Sequence, residues 1–421
     1  MASGQLTSAG GEGKTTAEMQ TASTFLEAGW DLVDEVTNGT DDIWWIAEGR
    51  GYPRLWWEDL YVDDDAPDDP GPGRRLVSDP LEDGSRAHPF DSIQEAIDVA
   101  PDRLTVLVQP GQYLTSDPWV HQSISFLGKN IVLSSVEPAN PEIVRDTVIR
   151  GTVLFSGTED PNCTLAGFKI HSLGYGGIAG NHTRATISHC IISGNGPCGG
   201  TVMQDCDGTI SNCLITDNST FFSCGTFPVV SGCNGLIRNC TIANNIAGIS
   251  VGNARIENCI IYNNEGPQIG VSGGGTASIS YSDIQGGRNG ITGEGAVDWG
   301  LGNTDIDPGF VRLGYWVSEP LELIEGDYHL RSEGWRWYQE GKSWTYDYMT
   351  SPCVDAGNPG TPLGEELMAV PRDPDNEFAV NVHINMGAYG GTVQASMPPR
   401  GWALLSDLNN DGTVDSLDLS E

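Results

Sequence analysis

Short runs of alternating apolar and polar residues fill the middle of the chain, and one of these runs recurs. Residues 186–193 read Thr-Ile-Ser-His-Cys-Ile-Ile-Ser, and close variants occur three more times. The cysteines of the four copies are Cys190, Cys213, Cys240 and Cys259. Their spacings are 23, 27 and 19 residues, with Phe168 and Ser282 in register on either side. A period in the low twenties with β-branched runs and Gly/Asn turns is typical of a solenoid.

The repeat also predicts which side chains point into the solenoid. In each copy we expect the cysteine and the second residue after it to face inward, because side chains of a strand alternate between its two faces. An asparagine stands five residues after every cysteine, and these are Asn195, Asn218, Asn245 and Asn264. We expect these amides to stack at a turn, to hydrogen-bond from coil to coil and to tolerate the left-handed backbone of a sharp corner.

One helix is predicted ahead of the strands, at residues 92–100. Ser92 and Glu95 have the spacing of a capping box, Ile93 and Ile97 form an apolar stripe, and Pro101 ends the helix. Its position favours a cap over the open end of the solenoid. Strands come in close succession from residue 104 onward, and the stretch 104–290 has room for about eight coils at this period.

The sequence divides into five parts. Residues 1–60 form a first unit that ends in a β-hairpin with paired aromatic residues. Residues 61–90 are an acidic, Pro-rich linker, and we expect its run at residues 63–73 to be extended and to bury nothing. Residues 91–300 contain the β-helix coils, and residues 301–400 are expected to add further coils and an aromatic-rich cap that plugs the end. Residues 401–421 form a truncated calcium loop.

Several of these motifs carry a family resemblance. The helix, the run Val-Leu-Val-Gln-Pro-Gly-Gln-Tyr (residues 106–113) and the tail motifs at residues 307–310, 326–330, 351–357 and 385–391 resemble right-handed parallel β-helix proteins of the pectate-lyase-like superfamily. The resemblance implies an all-β, right-handed parallel β-helix solenoid with a short N-terminal capping helix. It implies no function, because this fold carries lyases, hydrolases, epimerases, adhesins and spacers. Residues 1–60 resemble the end of the GLUG-type repeats of secreted bacterial proteins.

Charge narrows the set of partners. The chain of 421 residues has a net charge of −36, with 57 acidic and 21 basic residues. Such a surface repels phosphate backbones and anionic membranes, so we expect no nucleic-acid partner. No run of 18 apolar residues occurs, so we expect no membrane insertion. The many aspartates favour divalent cations, although acidity that only keeps a long β-protein soluble explains them as well.

Ten cysteines leave two interpretations open. The repeated cysteines suit either a ladder of buried thiols or stacked disulfides. Cys206 with Cys233, and Cys198 with Cys224, are the better disulfide candidates because their turns are more exposed. The chain has no Cys-x-x-Cys motif and no Cys/His metal spacing, which argues against zinc.

A calcium motif closes the sequence. Oxygen donors stand at loop positions 1, 3, 5, 9 and 12, with a backbone carbonyl at position 7, and a glycine stands at position 6. The residues are Asp407, Asn409, Asp411, Thr413, Asp415 and Asp418. The motif resembles half of a type I dockerin, which implies calcium as cofactor and a cohesin-like partner for the full-length protein. No apolar leader comes after Met1 and the chain stops within this motif, so we expect both ends to lie inside a longer reading frame.

Two groups of side chains are candidates for a site. Lys169, His171, Arg184 and His189 form the only basic group predicted on the acidic solenoid, and a polysaccharide lyase needs a base and a cation for a uronate. Lys169 follows the inward position of Phe168, so we expect its side chain to face outward from the sheet. All four residues can equally be solvated residues of turns and sheets. The residues of the second group, Trp335, Trp337 and Trp344, belong to an aromatic stretch that suits either a sugar-stacking platform or a plug.

No catalytic motif is evident, and the sequence leaves open whether the chain is an enzyme. Our leading hypothesis is an extracellular or cell-surface β-helix module that interacts with carbohydrate. The alternatives are a polysaccharide lyase or glycoside hydrolase acting in a groove along the outward sheet, and a structural or adhesive spacer.

Overall fold

Three long parallel sheets form the body of the molecule. The computed structural model of the chain describes residues 7–8, 11–33, 35–36, 39, 41–65, 82–113, 123–172, 176–196, 201–219, 227–319, 321–368, 381–399 and 402. Each coil visits the three sheets in turn, and we call them sheets A, B and C in that order. Sheet A has ten strands and the other two have eight each. The chain is therefore a mainly-β parallel solenoid of about seven turns between equivalent strands.

The strands of sheet A are Leu60–Val62, Thr105–Val108, Val132–Ser135, Thr164–Ala166, Thr186–Ser188, Thr209–Ser211, Leu236–Arg238, Ala254–Glu257, Thr276–Ser280 and Ala296–Trp299. Those of sheet B are Gly111–Tyr113, Thr147–Ile149, Lys169–Ile170, Ile191–Ser193, Leu214–Thr216, Thr241–Ala243, Ile260–Tyr262 and Asp283–Ile284. Those of sheet C are Ser123–Ser125, Thr152–Leu154, Gly177–Thr183, Met203–Cys206, Val230–Ser231, Ile249–Val251, Ile269–Val271 and Ile291–Gly293.

The interior of the solenoid is built from columns of identical positions, which confirms the solenoid prediction. Each repeated cysteine is fully buried between a strand of sheet A and the next strand of sheet B. The second residue after it is equally buried, and in sheet B Ile192 pairs with Ile215 and Ile242 pairs with Ile261. Burial of these columns supplies the main stabilisation, because removing apolar surface from water favours the folded state in proportion to area.

A column of asparagine amides lines the corner between sheets B and C. Asn195 Nδ2 donates to Asn218 Oδ1 at 3.1 Å, and Asn218 Nδ2 donates to Asn245 Oδ1 at 2.9 Å. Asn245 Nδ2 continues to Asn264 Oδ1 at 2.8 Å, so the predicted coil-to-coil amide bonds are confirmed. The predicted left-handed backbone falls one residue earlier than expected. It is adopted by Gly194, Asp217, Asn244 and Asn263.

The helix Ile93–Val99 lies ahead of the first complete coil, as predicted, and buries Ile93 and Ile97 in the solenoid core. The predicted capping box is absent. Ser92 stands at the N-cap without a side-chain hydrogen bond to the helix. The reason is that the Glu95 carboxyl bonds Asp91 and lies within 4.8 Å of carboxylate oxygens of Asp91 and Glu82. A second short helix, Pro141–Asp146, begins at Asn140, whose side chain accepts from Glu142 N.

The N-terminal unit combines two helical turns with short strands. The helices are Thr16–Met19 and Ala22–Leu26, the strands Thr7–Ser8 and Gly11–Glu12 pair antiparallel, and Trp44–Trp45 pairs with Arg54–Leu55. The predicted hairpin is therefore present, but its aromatic pairs are not. Trp44 lies opposite Leu55 and Trp45 lies opposite Arg54, because the second tryptophan pair, residues 56–57, falls just beyond the strand.

The predicted linker at residues 61–90 is wrong at both of its described ends. Leu60–Val62 is the edge strand of sheet A and pairs with Thr105–Val108. Val62, Asp64 and Phe90 are buried. The acidic run begins directly after a core strand, so a prediction from composition alone missed that strand. Residues 66–81 lie outside the described residues.

The chain leaves the solenoid after Thr304, which bridges to Asp283. The strands beyond this residue pair antiparallel, so the further coils predicted for residues 301–400 do not occur in the described part. The hairpin strands pair Phe310–Arg312 with Asp327–Leu330, Tyr315–Ser318 with Leu321–Ile324, and Arg336–Tyr338 with Ser343–Thr345. The 3₁₀ turns are Gly287–Gly290 in the last coil and Gly364–Met368. We call the described residues from 305 to 399 the covering segment.

The covering segment lies on the outer face of sheet B and not on the end of the solenoid. Its residues Tyr328, Leu330 and Met386 share one buried cluster with outward side chains of sheet B. Those outward side chains are Ile191, Leu214, Ala243 and Ile260. Polar contacts fix the same interface, since Asn244 Nδ2 donates to Gly314 O at 2.9 Å and Tyr328 Oη donates to Asp217. The aromatic-rich cap was predicted to plug the end of the solenoid, but it covers the side formed by sheet B.

The described cysteines are all free thiols and all buried, including Cys206 and Cys233. The disulfide candidate formed by that pair is wrong, because Cys233 Sγ accepts a hydrogen bond from the backbone N–H of Cys206 at 3.4 Å. The ladder thiols donate to neighbouring carbonyls, as Cys213 does to Ser211 O at 3.3 Å. Cys198 and Cys224 lie outside the described residues.

No helix in the described part of the chain is long and apolar enough to cross a bilayer.

Candidate functional site

The two basic candidates of sheet B are held beneath the covering segment. Lys169 points outward from its strand, as predicted, and forms an ion pair with Glu325. Burial opposes ionisation of Glu325, but the charge of Lys169 holds the pKa of that carboxyl below its usual value. His171 Nδ1 lies 2.9 Å from Ser193 O, and burial lowers the pKa of the imidazole. Lys169 therefore binds the cover directly, whereas the hydrogen bond of His171 lies within the solenoid.

The other two basic candidates lie at different corners. Arg184 is exposed on the turn from sheet C to sheet A. His189 occupies the turn from sheet A to sheet B with φ 53° and lines a small apolar pocket with Val144 and Tyr389. Burial lowers the pKa of His189. The predicted basic group is therefore wrong as a group, because its residues occupy a strand and two separate corners of the coil.

The three predicted tryptophans form a small core inside the covering segment. Trp337 and Trp344 face each other across their hairpin with ring centroids 5.7 Å apart, edge to face. Trp335 and Trp344 also pack against Ala395 and Met397. All three indoles are half-buried. Their first role is to hold the hairpin against the end of the segment.

Tyrosines of the same stretch present the open aromatic surface. Tyr338 is 40% exposed, Tyr346 is 65% exposed and Tyr348 is 98% exposed. Tyr346 lies edge to face with Trp335 at 6.0 Å between centroids, so part of this surface rests on the tryptophan core. Side chains alternate along a strand, so Tyr338 lies on the opposite face of the hairpin from Tyr346, and we call Tyr346 and Tyr348 alone the aromatic patch. The sequence places them in the same stretch as the tryptophans, but which rings face water depends on hairpin register and could not be predicted.

The basic side chains of this hairpin are all engaged in ion pairs. Arg336 Nε lies 2.7 Å from Asp347 Oδ2, and Lys342 Nζ lies 2.8 Å from Glu142 Oε2. The patch thus offers apolar ring faces and phenol hydroxyls without an uncompensated positive charge on its own hairpin.

The outer face of sheet C is polar. It carries a histidine–carboxylate pair that the sequence analysis did not predict. His182 Nδ1 lies 3.0 Å from Asp207 Oδ2, and the histidine side chain is largely exposed. The strand Gly177–Thr183 loses regular pairing between Ala179 and Thr183, and His182 has φ 66°. Left-handed backbone at non-glycine residues is costly and concentrates at functional sites. No sequence motif marks this pair, because its members are 25 residues apart.

A cavity of about 580 Å³ lies between the N-terminal unit and the helix Ile93–Val99. Its walls include Leu26, Trp45 and Val99 on the apolar side, with Glu48 and Lys129 among its polar residues. The buried Trp45 Nε1 has no hydrogen-bond partner within the described residues. The volume of this cavity lies in the range of small-molecule pockets.

The predicted calcium loop cannot be placed. Residues 407–418 lie outside the described residues, so calcium and a cohesin-like partner stay predictions.

Comparison with known proteins agrees with the architecture. A family model described as a right handed beta helix region matches residues 148–284. Among solved structures, pectate lyase Pel9A aligns with 79% of this chain and 96% of its own at 11% sequence identity and a TM-score of 0.33. A likeness at that level supports no argument about residues or activity. No curated protein matches the chain. The chain thus contains a right-handed parallel β-helix domain.

Proposed function

We propose that this protein is an extracellular β-helix module that binds carbohydrate through the aromatic patch. The observation that carries the proposal is the exposure of Tyr346 and Tyr348, two residues apart on the covering segment. Aromatic rings carry a large apolar area that is stabilised by contact with another surface. The apolar faces of sugar rings provide such contact, while the phenol hydroxyls hydrogen-bond sugar hydroxyls.

The charge pattern selects the class of carbohydrate. A net charge of −36 repels polyanionic chains over long distances. Arg336 and Lys342, which would otherwise attract a uronate, are already paired with carboxylates. We therefore infer a preference for neutral polysaccharides over acidic ones.

Affinity electrophoresis and calorimetric titration against soluble neutral and acidic polysaccharides test this proposal. We expect a neutral glycan to bind, and we expect Tyr348→Ala and Tyr346→Ala to weaken binding roughly tenfold each, about 1.4 kcal/mol. The matched control is Tyr315→Ala, since Tyr315 is 56% exposed on a different hairpin of the covering segment. Two results would refute the aromatic patch as the site. One is that Tyr315→Ala weakens binding as much as Tyr348→Ala does, and the other is that the wild-type protein does not bind.

The second candidate function is cleavage of an acidic polysaccharide, and the exposed His182–Asp207 pair favours it. An exposed imidazole beside a carboxylate is suited to general acid–base catalysis. The test is the ultraviolet absorbance of unsaturated uronates released from an acidic polysaccharide panel. If cleavage occurs, His182→Ala should abolish it, whereas Lys169→Ala and His171→Ala should leave the chemical step intact because both residues lie beneath the cover. Silence in the binding and cleavage assays would favour the spacer.

A further inference from the structure

Three consecutive carboxylates meet where the first strand of sheet A ends. Asp63, Asp64 and Asp65 come directly after the strand Leu60–Val62. Each contributes a carboxylate oxygen that lies within 4.8 Å of the oxygens of the other two. We call these residues the acidic triad. Side chains of adjacent residues in an extended strand point to opposite faces, so the backbone must turn here to bring all three together.

The middle carboxylate of the triad is buried and incompletely bonded. Asp64 is 6% exposed, and its Oδ2 accepts a hydrogen bond from Gln112 N at 2.9 Å. Its Oδ1 is buried, and no residue in the described part of the chain donates a hydrogen bond to it. A buried carboxylate oxygen with no donor is costly, because desolvation is not repaid by any contact. The side chain belongs to the triad, so a ligand held by the triad would lie within its reach.

The fold reserves space for this side chain. Gly111 pairs with Thr147 in sheet B, and a Cβ built on Gly111 would lie 1.8 Å from Asp64 Oδ1. Any other residue at position 111 would displace the carboxylate. Glycine is therefore required here for the close approach of Asp64 and not for an unusual φ.

The described residues place no positive charge against the triad. No ion pair in the described part of the chain involves Asp63, Asp64 or Asp65. Three carboxylates this close repel one another strongly unless protons or a cation balance them.

We propose that the acidic triad binds a divalent cation of the calcium class at the start of the β-helix. Carboxylate oxygens are the ligands that calcium prefers, and the absence of His and Cys from the triad argues against zinc. Water would complete the coordination shell, because calcium takes about six to eight oxygens. The cation would fasten the edge strand Leu60–Val62 to sheet B through Asp64 and Gln112, and so stabilise the first turn of the solenoid.

A second group of acids shows why the triad is singled out. Glu82, Asp91 and Glu95 also bring carboxylate oxygens within 4.8 Å of one another. Their oxygens have partners, since Glu82 Oε1 accepts from Asp91 N at 3.2 Å and Arg50 Nη1 lies 3.8 Å from Glu95 Oε1. None of the three side chains is fully buried. This group has no orphaned buried oxygen and serves as an internal control.

The experiment is a calcium titration of the full chain, followed by calorimetry and by the melting temperature with and without calcium. The predicted loop at residues 407–418 would bind calcium as well, so a variant with both Asp407→Ala and Asp418→Ala, at loop positions 1 and 12, is the background in which the triad is tested. We expect calcium to raise the melting temperature in that background, because a ligand that binds only the folded state stabilises it. Adding Asp64→Asn should abolish the rise and lower the calcium affinity at least tenfold.

Two further variants keep the test decisive. Asp65→Asn lies at the exposed end of the triad and should weaken calcium binding without unfolding the protein, which covers the case in which Asp64→Asn does not fold. Asp91→Asn removes a carboxylate from the control group and should leave calcium binding unchanged. The proposal is overturned if calcium has no effect in the Asp407→Ala/Asp418→Ala background, or if Asp91→Asn removes the effect while Asp65→Asn retains it.

Discussion

Sheets B and C have the same strand pairing and the same coil spacing, yet their outer faces differ. The outward column of sheet B contains Ile191, Leu214 and Ile260, which the covering segment buries. The corresponding column of sheet C contains Gln204, Ser231 and Ser250, none of which is fully buried. The hydrophobic effect acts on the outer columns as it does on the inner ones. In a solenoid, an apolar outward column therefore indicates a sheet face that another part of the chain covers.

The strongest test of this comparison places the same charge on both faces. Leu214→Asp would bury an unpaired carboxylate beneath the covering segment and should destabilise the protein by about 3–5 kcal/mol. Ser250→Asp puts the carboxylate on the outer face of sheet C and should change stability by less than about 0.5 kcal/mol. Urea denaturation followed by circular dichroism measures both. Equal effects at the two positions would contradict the distinction between the faces.

A pH experiment tests the last strand of sheet B, where Asp283 contacts Cys353 of the covering segment. Asp283 is fully buried and accepts from Thr304 Oγ1, Ile306 N and Cys353 Sγ. Burial raises the pKa of its carboxyl to about 6. The folded protein thus keeps this proton to higher pH than the unfolded chain, and stability falls as pH rises from about 4 to about 6.

The matched variant for this experiment is Asp283→Asn, whose amide oxygen can accept the Thr304 and Ile306 bonds while its NH₂ group faces Cys353 Sγ. The variant should lose this part of the pH dependence, a difference of about 2–3 kcal/mol across the window. Melting temperatures measured from pH 4 to pH 7 give the result. Parallel pH profiles for the two proteins would show that Asp283 is already ionised at low pH.

Removing one polar contact between cover and solenoid should have a smaller effect. Tyr328→Phe deletes the hydroxyl that donates to buried Asp217 and should cost about 1–2 kcal/mol, because the carboxylate loses a donor. Asn244 Nδ2 still donates to Asp217 Oδ1 at 2.7 Å, which limits the loss. Denaturant titration of the variant gives the value. A loss as large as that of Leu214→Asp would indicate that the hydroxyl organises the whole interface.

The smallest effect is expected for the ion pair between Lys169 and Glu325. Both side chains are partly exposed, so we expect a coupling below about 1 kcal/mol from a double-mutant cycle with Lys169→Ala and Glu325→Ala. The cycle should be run at low and high salt, because screening weakens a partly exposed pair. A coupling that salt leaves unchanged would mean that the covering segment shields the pair completely.

The repeat made much of this fold predictable. The Cys190 and Ile192 columns and the Asn195 column result from periodicity, because stacked coils must give equivalent positions equivalent surroundings. The covering segment was not predictable in the same way, since its residues do not recur and nothing in them specifies the sheet they contact. The missed signal lay within the repeat itself. Ile191 and Leu214 stand at outward positions, and their apolar character indicated a cover.

The candidate site was less predictable for a similar reason. Lys169 was correctly predicted to face outward, but its partner Glu325 is 156 residues away in sequence. The acidic triad was hidden because Asp63, Asp64 and Asp65 resemble the start of a linker. The signal there was the run Leu-Tyr-Val ahead of them, whose alternation matches a strand.

The column of asparagine amides gives the solenoid a direction. Each amide NH₂ group donates one bond to a backbone carbonyl of the preceding coil and one to the next amide oxygen toward the C-terminal end, where Gln268 Oε1 accepts the last bond from Asn264 at 2.9 Å. At the other end Asn195 Oδ1 is buried and has no hydrogen-bond donor among the described residues. The column is thus complete at one terminus and open to one more donor at the other. A designed extra coil carrying the same asparagine could be inserted within this column and inherit both of its bonds, which would make the length of this β-helix adjustable in whole turns.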